Sequence, residues 1–289
     1  MPENTPCQIC SNSELITIQS SYVFMNSIEL NLTRCPECGL VFLNPQPTST
    51  EAENLYSKEY FIRWYGTEKK REFSKNFFRN LLRGNKIKAK ASERLLDVGC
   101  GMGFFLEVAR EWGWHAQGVE ISKYAARYCK EHLHFNVYSG TLETANYPKD
   151  YFDIITAFDF LEHISNISRF LSEARRILKE DGIFMVLVPN YQSLVFQLDR
   201  IICKWMKLPL SNVPEHLTYF TPYTLRRLLE KSSFRIDRLS TVDANDEAEY
   251  LVLKGTPRAF LRALLNNVFY LWGKISHRRE AIFVMAKKA

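Results

Sequence analysis

Apolar and polar positions along this chain change rhythm three times. Residues 1–44 are polar and β-like, and Asn44-Pro45-Gln46-Pro47 marks a natural boundary. From 49 to about 90 the apolar positions recur at helical spacing, with Leu55, Tyr56, Tyr60, Phe61, Trp64 and Tyr65, then Phe73, Phe77, Phe78, Leu81 and Leu82. These are read as helices that link the first segment to the main domain and fold over it. From Glu93 on, short apolar runs alternate with amphipathic stretches. Strands are expected at 94–98, at a run ending in Gly118-Val119-Glu120, at 135–138, at 152–158 and at 183–188. One helix between them carries Phe104, Phe105, Val108, Ala109 and Trp112 on one face. A second is capped by Ser122 and runs to about Leu133. A third is built on Ile167, Phe170, Leu171, Ala174, Ile177 and Leu178. Continuous apolar strands alternating with helices predict an α/β fold, a doubly wound parallel sheet covered on both faces.

Composition bounds the answer without changing it. Of the 289 residues, 46% are hydrophobic and 24% charged, as in soluble globular proteins. The net charge of +6 is compatible with an anionic substrate or a membrane surface. Without a clustered basic stripe it does not argue for nucleic acid. The start of the chain shows no basic residue followed by an apolar stretch, and there is no run of about 18 uncharged apolar residues. A cytoplasmic location is the expectation.

Cys7-x-x-Cys10 and Cys35-x-x-Cys38 lie 24 residues apart. Each pair suits one knuckle giving two thiolates to a tetrahedral zinc, with Gly39 easing the second turn. Four closed sulfur ligands leave no open position, so such a metal is structural. Ordinary buried cysteines and a redox pair are the other readings. The second lacks its strand-to-helix setting. Cys100, Cys129 and Cys203 read as small residues.

Leu95-Leu96-Asp97-Val98-Gly99-Cys100-Gly101-Met102-Gly103 runs from a strand through a glycine turn into a helix. The glycines permit unusual φ angles and close approach of a ligand to the backbone. The spacing is G-x-G-x-G, and no G-K-[ST] follows, so this is not a phosphate cradle. Asp97 before the first glycine suits a ligand with positive charge. Glu120, at the end of the next strand, can accept bonds from both ribose hydroxyls. Together they describe a nucleoside site with a cationic tail.

These residues resemble the first motif of the class I S-adenosylmethionine methyltransferases. Glu120 matches their ribose-binding acid, with Ile121 beside it. Phe152-Asp153-Ile154-Ile155 and the segment from Phe158 to Ile164 resemble their fourth-strand motif, and Leu178 to Ile183 their turn before the fifth strand. The resemblance implies a Rossmann-like sheet of seven strands ending in an antiparallel hairpin at 234–243 and 281–286. It further implies S-adenosylmethionine held by Asp97, Gly99, Cys100, Gly101, Gly103, Glu120 and Ile121. Thr141, Leu142 and Glu143 would lie near the adenine, with Phe158 and Asp159 near the methionine part. The run from Cys35 to Pro47 is similar to that of bacterial methyltransferases that carry a zinc knuckle and act on nucleotide-linked sugars or other small molecules. Glu215-His216-Leu217-Thr218-Tyr219-Phe220 resembles a run in sugar C-methyltransferases, which carry a Tyr where this chain has Val213.

Methyl transfer to oxygen or carbon calls for a base, and His is the commonest at neutral pH. His216, assisted by Glu215, is the candidate, against the alternative of a loop histidine capping the helix near Thr221-Pro222. Asp159 is placed near the cofactor. Glu162 and His163 are read as positioning the loop and the next helix. The tail at 258–275 has a broad apolar face flanked by basic residues. It suits a helix packed between the last strands or a dimer contact, with docking on an anionic membrane as the sharper alternative. The sequence therefore predicts a zinc knuckle at 1–47, a helical linker or lid at 48–92 and a methyltransferase domain at 93–289. Helices would be inserted near 192–213 and 257–276. The acceptor would be a nucleotide-linked sugar or glycan precursor. A quinone or lipid-linked acceptor at a membrane, and a non-catalytic scaffold, are the other readings.

Overall fold

The computed structural model describes residues 5–24, 28–46, 56–90, 92–206, 216–243, 272 and 278–289. The 258–275 tail, apart from Trp272, and Glu215 lie outside them.

The N-terminal segment forms strands β1 (Ile16–Phe24), β2 (Ile28–Arg34) and β3 (Val41–Asn44). Helices α1 (Lys58–Tyr65) and α2 (Glu68–Gly84) follow. Next come β4 (Arg94–Val98), α3 (Phe104–Glu111), β5 (His115–Glu120), α4 (Lys123–Glu131), β6 (Asn136–Ser139) and β7 (Phe152–Phe158). The chain continues as α5 (Ile167–Ile177), β8 (Leu178–Pro189), α6 (Leu194–Met206), β9 (Thr218–Tyr219), α7 (Pro222–Lys231), β10 (Phe234–Val242) and β11 (Ala281–Lys288).

The large sheet has the order β10-β11-β8-β7-β4-β5-β6. Strands β4 to β8 are parallel, and β11 runs antiparallel between β8 and β10. From β4 the chain first winds one way through β5 and β6, then returns to the other side through β7 and β8. The carboxyl ends of β4 and β7 therefore open a crevice at the reversal point, where open α/β sheets bind ligands. This is the Rossmann-like sheet with a terminal antiparallel hairpin that the glycine motif implied. Strand β8 starts earlier than the 183–188 run: Leu178 already pairs with Phe152, and the register slips before Ile183 meets Ile154. The polar residues Glu180 and Asp181 are taken up in that irregularity.

Both faces of the sheet are covered. On one side Phe170, Leu171, Ala174 and Ile177 of α5 are all buried, as the three-and-four spacing requires. On the other, Phe105, Val108 and Ala109 of α3 pack with Leu81 and Leu82 of α2. An ion-pair set fixes α2 to α3, with Arg71 to Glu107 at 2.6 Å and Arg79 to Glu111 at 2.8 Å. The linker is thus docked on the main domain.

The N-terminal strands do not form a sheet of their own. Their order is β1-β2-β3-β9, and β9 comes from the far end of the chain. Alternation along β3 buries both its faces. Phe42 points into the large core beside Phe220, Leu225 and Leu228, while Val41 and Leu43 meet Leu217 and Tyr219 in a separate cluster. Burying one such aromatic side chain contributes roughly 1.5–3 kcal/mol. Gln8 completes the join: its amide donates to Ser165 O at 2.8 Å and accepts from Ile167 N at 2.9 Å, at the first turn of α5.

Candidate active site

The glycine turn after β4 has the conformation its residue types allow. Gly99, Gly101 and Gly103 take φ of +74°, +50° and +76°. A Cβ on Gly99 would stand 2.5 Å from the Phe160 ring, and one on Gly103 2.9 Å from Cys129 Sγ. Both positions are closed to larger residues by φ and by space. Glu120, at the end of β5, is 5% exposed. Its Oε2 accepts from Gly101 N and its Oε1 from Ser122 N, each at 2.8 Å. A carboxylate oxygen has further lone pairs, so each can still accept a ligand hydroxyl.

These groups floor a cavity of about 520 Å³, within the range of small-molecule sites. Gly99, Gly101, Glu120, Ile121, Thr141, Leu142 and Glu143 line it together with Asp159, Phe160, His163 and Arg169, the Phe160 ring lying directly against Gly99. Tyr56, Tyr60, Phe61 and Tyr65 supply an aromatic wall from α1 and the residues before it. Aromatic residues of this segment thus line the cavity. Ser122, expected to cap α4 with its side chain, makes no capping bond there. Its hydroxyl instead donates to Tyr56 O at 2.9 Å and ties down the aromatic wall.

Three expected contact residues lie elsewhere. Asp97 sits under the floor, 3% exposed, and accepts from Thr156 Oγ1 at 2.7 Å. Cys100 turns its side chain into the cluster with Ala126 and Cys129. Phe158 points through the sheet and stacks on Phe78, with ring centroids 5.6 Å apart. Alternation along β7 gives Phe158 to the opposite face. Asp159, with φ of +49°, then turns the chain so that Phe160 faces the cavity.

Burial pushes Asp97 up to about 7, with nearby Glu120 adding to the rise and the Thr156 hydrogen bond opposing it. Burial also raises Glu120. A carboxyl whose pKa is raised on folding binds its proton more tightly in the folded state. Stability is then lost as pH rises from the unfolded value, near 4, to the folded value near 7. The ligand-free protein is expected to lose stability across that window, and Asp97→Asn should flatten the slope. Urea unfolding at pH 5 and pH 7 checks this; equal slopes for both proteins would refute it.

A single 3₁₀ turn at Leu161–His163 follows Asp159 and brings His163 to the cavity wall. Asp159 lines the cavity, and desolvation there raises its carboxyl to about 6. His216 does not line the cavity but stands directly behind His163, ring centroids 4.9 Å apart. Enclosure, with His163 as a further cause, holds its pKa well below the usual histidine value. The helix-capping alternative for His216 falls away, since α7 is capped by Thr221 in a reciprocal pair with Thr224. His216 is held by its neighbour instead: Leu217 N donates to Glu162 O at 2.7 Å, and Leu217 O accepts from Leu43 N at 2.8 Å. Glu162, His163, Phe160 and the aromatic wall were missing from the sequence-based site. The adjacency of Glu162 and His163 just past a strand end was the available signal.

The four N-terminal cysteines converge, with every pair of sulfurs within 4.8 Å. Cys7 Sγ is 3.3 Å from Cys38 Sγ, and Cys10 Sγ 3.4 Å from Cys35 Sγ. Each knuckle is closed by a backbone bond, Ser11 N to Cys7 O and Gly39 N to Cys35 O. An all-sulfur set of this kind fits a structural zinc.

A doubly wound sheet with a glycine turn and a strand-end acid defines a nucleoside-binding α/β protein. A family model described as a methyltransferase domain matches residues 65–239, more than half of the chain, and the chain belongs to that family. It is similar to the ubiquinone biosynthesis O-methyltransferase of Pelagibacter ubique (strain HTCC1062), 26% identical over 53% of this chain and 65% of that protein. The protein of the same name from Bradyrhizobium sp. (strain ORS 278) is 32% identical over 47% of this chain and 56% of that one. The chain thus spans about half to two-thirds of the length of these relatives. Among solved structures, a SAM-dependent methyltransferase from Archaeoglobus fulgidus aligns with a TM-score of 0.56 at 24% identity, over 80% of this chain and 98% of that one. Geranyl diphosphate C-methyltransferase from Streptomyces coelicolor A3(2) aligns at 0.51 and 13%, over 81% and 86%. These two support the fold.

Proposed function

We propose that this protein is an S-adenosylmethionine-dependent O-methyltransferase acting on a small aromatic hydroxyl compound of the quinone-precursor kind. The observation that carries the reading is one cavity lined both by the nucleoside floor and by an acid and a histidine. When bound, S-adenosylmethionine supplies an electrophilic methyl group on a sulfonium. Glu120 accepts from the ribose hydroxyls, and the backbone of Gly99 and Gly101 lets the ligand approach. Leu142 offers an apolar wall to the base. Asp97 acts from below, tying the end of β4 to β7 through Thr156, and a cationic ligand above it favours its ionised form. The aromatic wall excludes water and offers flat faces to a planar acceptor. His163 faces the cavity and is placed to take the acceptor's hydroxyl proton, with His216 behind it orienting the ring.

The sequence-based choice of a nucleotide-linked sugar gives way here. The named relatives act in ubiquinone biosynthesis, and Tyr and Phe side chains wall the cavity. The membrane and dimer readings attached to the 258–275 tail rest on residues outside those described; among the described residues, no helix is long and apolar enough to cross a membrane. The cysteine cluster is read as a structural zinc that braces the acceptor end through β3, β9 and Gln8.

The test is incubation with S-adenosylmethionine and either catechol-type acceptors or nucleotide-linked sugars, followed by mass spectrometry. A catechol that gains one O-methyl group is the expected product. Methylation confined to the sugars would overturn the acceptor class.

A further inference from the structure

We propose that Arg227 and Lys231 of α7 supply the counter-charge of the zinc knuckle, so that a helix far along the chain sets the affinity of the N-terminal module for its metal. The inference rests on the structural-zinc reading of the cysteine cluster. Four thiolates outnumber the charges of one zinc ion by two. Cys7, Cys35 and Cys38 are buried. A buried net charge is costly unless an opposite charge stands beside it. The segment at 5–40 does not provide one in balance: Glu14, Glu29 and Glu37 oppose the single cation Arg34. The counter-charge has to come from the surface on which the knuckles sit.

That surface is α7. Ile9, between the two cysteines of the first knuckle, packs in the core with Leu225, Leu228 and Leu229. Beside this apolar contact the Lys231 ammonium donates to Ile9 O at 2.7 Å. The carbonyl it holds belongs to the turn that aims Cys7 and Cys10 at the metal. One helical turn earlier, the Arg227 guanidinium stands within electrostatic reach of Cys38 and Cys10, one sulfur from each knuckle. Tyr223 keeps it there. Arg227 Nη1 donates to Tyr223 Oη at 3.4 Å, and the guanidinium lies 5.7 Å from the centre of the Tyr223 ring. Positions 227 and 231 are four apart and share one face of the helix. Neither side chain pairs with a carboxylate among the described residues. Arg226 behaves differently: it is exposed and pairs with Glu230 on the same helix at 3.5 Å. The face turned to the knuckle thus holds two cations whose partners are the knuckle's own carbonyl and sulfurs. Groups just outside the metal ligands tune affinity as much as the ligands' own setting does.

The test measures zinc affinity of the full-length protein by competition with a chromophoric chelator. Wild type should hold one zinc per chain. Arg227→Gln and Lys231→Gln should each weaken it by about tenfold, the lower end of what removal of such outer partners costs. Arg227→Lys keeps the charge and should recover most of the loss, while Arg226→Gln should change nothing. The difference between wild type and the two Gln variants should shrink in about 1 M salt, where charges are screened within about 3 Å. Circular dichroism and S-adenosylhomocysteine affinity should stay the same in all four variants. Wild-type zinc affinity in both Gln variants would overturn the inference alone. A loss that ignores salt, or one that Arg227→Lys does not repair, would assign the residues to packing and overturn their charge role. A wild type that takes up no zinc would overturn the zinc reading and this inference with it.

Discussion

Replacing Glu120 with Ala is expected to weaken S-adenosylhomocysteine binding by about 100-fold. The carboxylate is buried at the end of β5, lines the cavity, and keeps lone pairs for two ribose hydroxyls. Hydrogen bonds to a charged group contribute roughly 1.5–3 kcal/mol each, so losing two at the lower figure costs about 3 kcal/mol, or two orders of magnitude. The substitution also strips Gly101 N and Ser122 N of their acceptor, which loosens the glycine turn. Glu120→Gln should fall between, since one oxygen remains. Isothermal calorimetry on the three proteins measures the effect. Equal affinities would show that the ribose lies elsewhere.

The second large effect is expected far from the cofactor. Cys35→Ser removes one of the four converging sulfurs. The knuckles are joined through the antiparallel pairing of β2 with β3 and of β3 with β9 to Leu217, whose neighbour is His216. Gln8, in the first knuckle, also holds the entry to α5 beside the cavity. Releasing that brace displaces the acceptor end while the glycine turn and Glu120 stay in place. Misplacing a reacting group by about 1 Å costs on the order of 100-fold, so methyl transfer should fall by about that factor. S-adenosylhomocysteine affinity should change little. Turnover and calorimetry measured on the same preparation separate the outcomes. A parallel loss of cofactor affinity would mean general unfolding, and unchanged turnover would disprove the brace.

Much of this protein was legible before any coordinates. The strand-turn-helix at residues 94–111 follows from local rules, because an apolar run, three glycines and an amphipathic helix each specify their own backbone. Glu120 was readable because its strand end is set by the same alternation. The four cysteines were readable because their spacing is itself the knuckle. The acceptor end was not. Phe158 was placed in the site and Phe160 left out, although left-handed Asp159 decides which of them faces the cavity. Asp97 was expected to touch the ligand, but its bond to Thr156 draws it beneath the floor. Glu162 and His163 read as loop-positioning residues. Only the pairing of β9 with β3 brings His216, some fifty residues later, against them.

The sequence by itself determined the strands and helices of the main domain, the glycine turn and the two cysteine pairs, since each depends on residues close together in the chain; the order of the seven strands came only as what the family resemblance implied. Tertiary structure alone decided that the N-terminal strands and the segment at 216–220 share one sheet. It also decided that the aromatic wall closes over the glycine turn, and that Glu162 meets His163 and His216. Those features depend on contacts between segments 50 to 200 residues apart. No local periodicity encodes such contacts, because their free energy arises only when the separate surfaces are buried together.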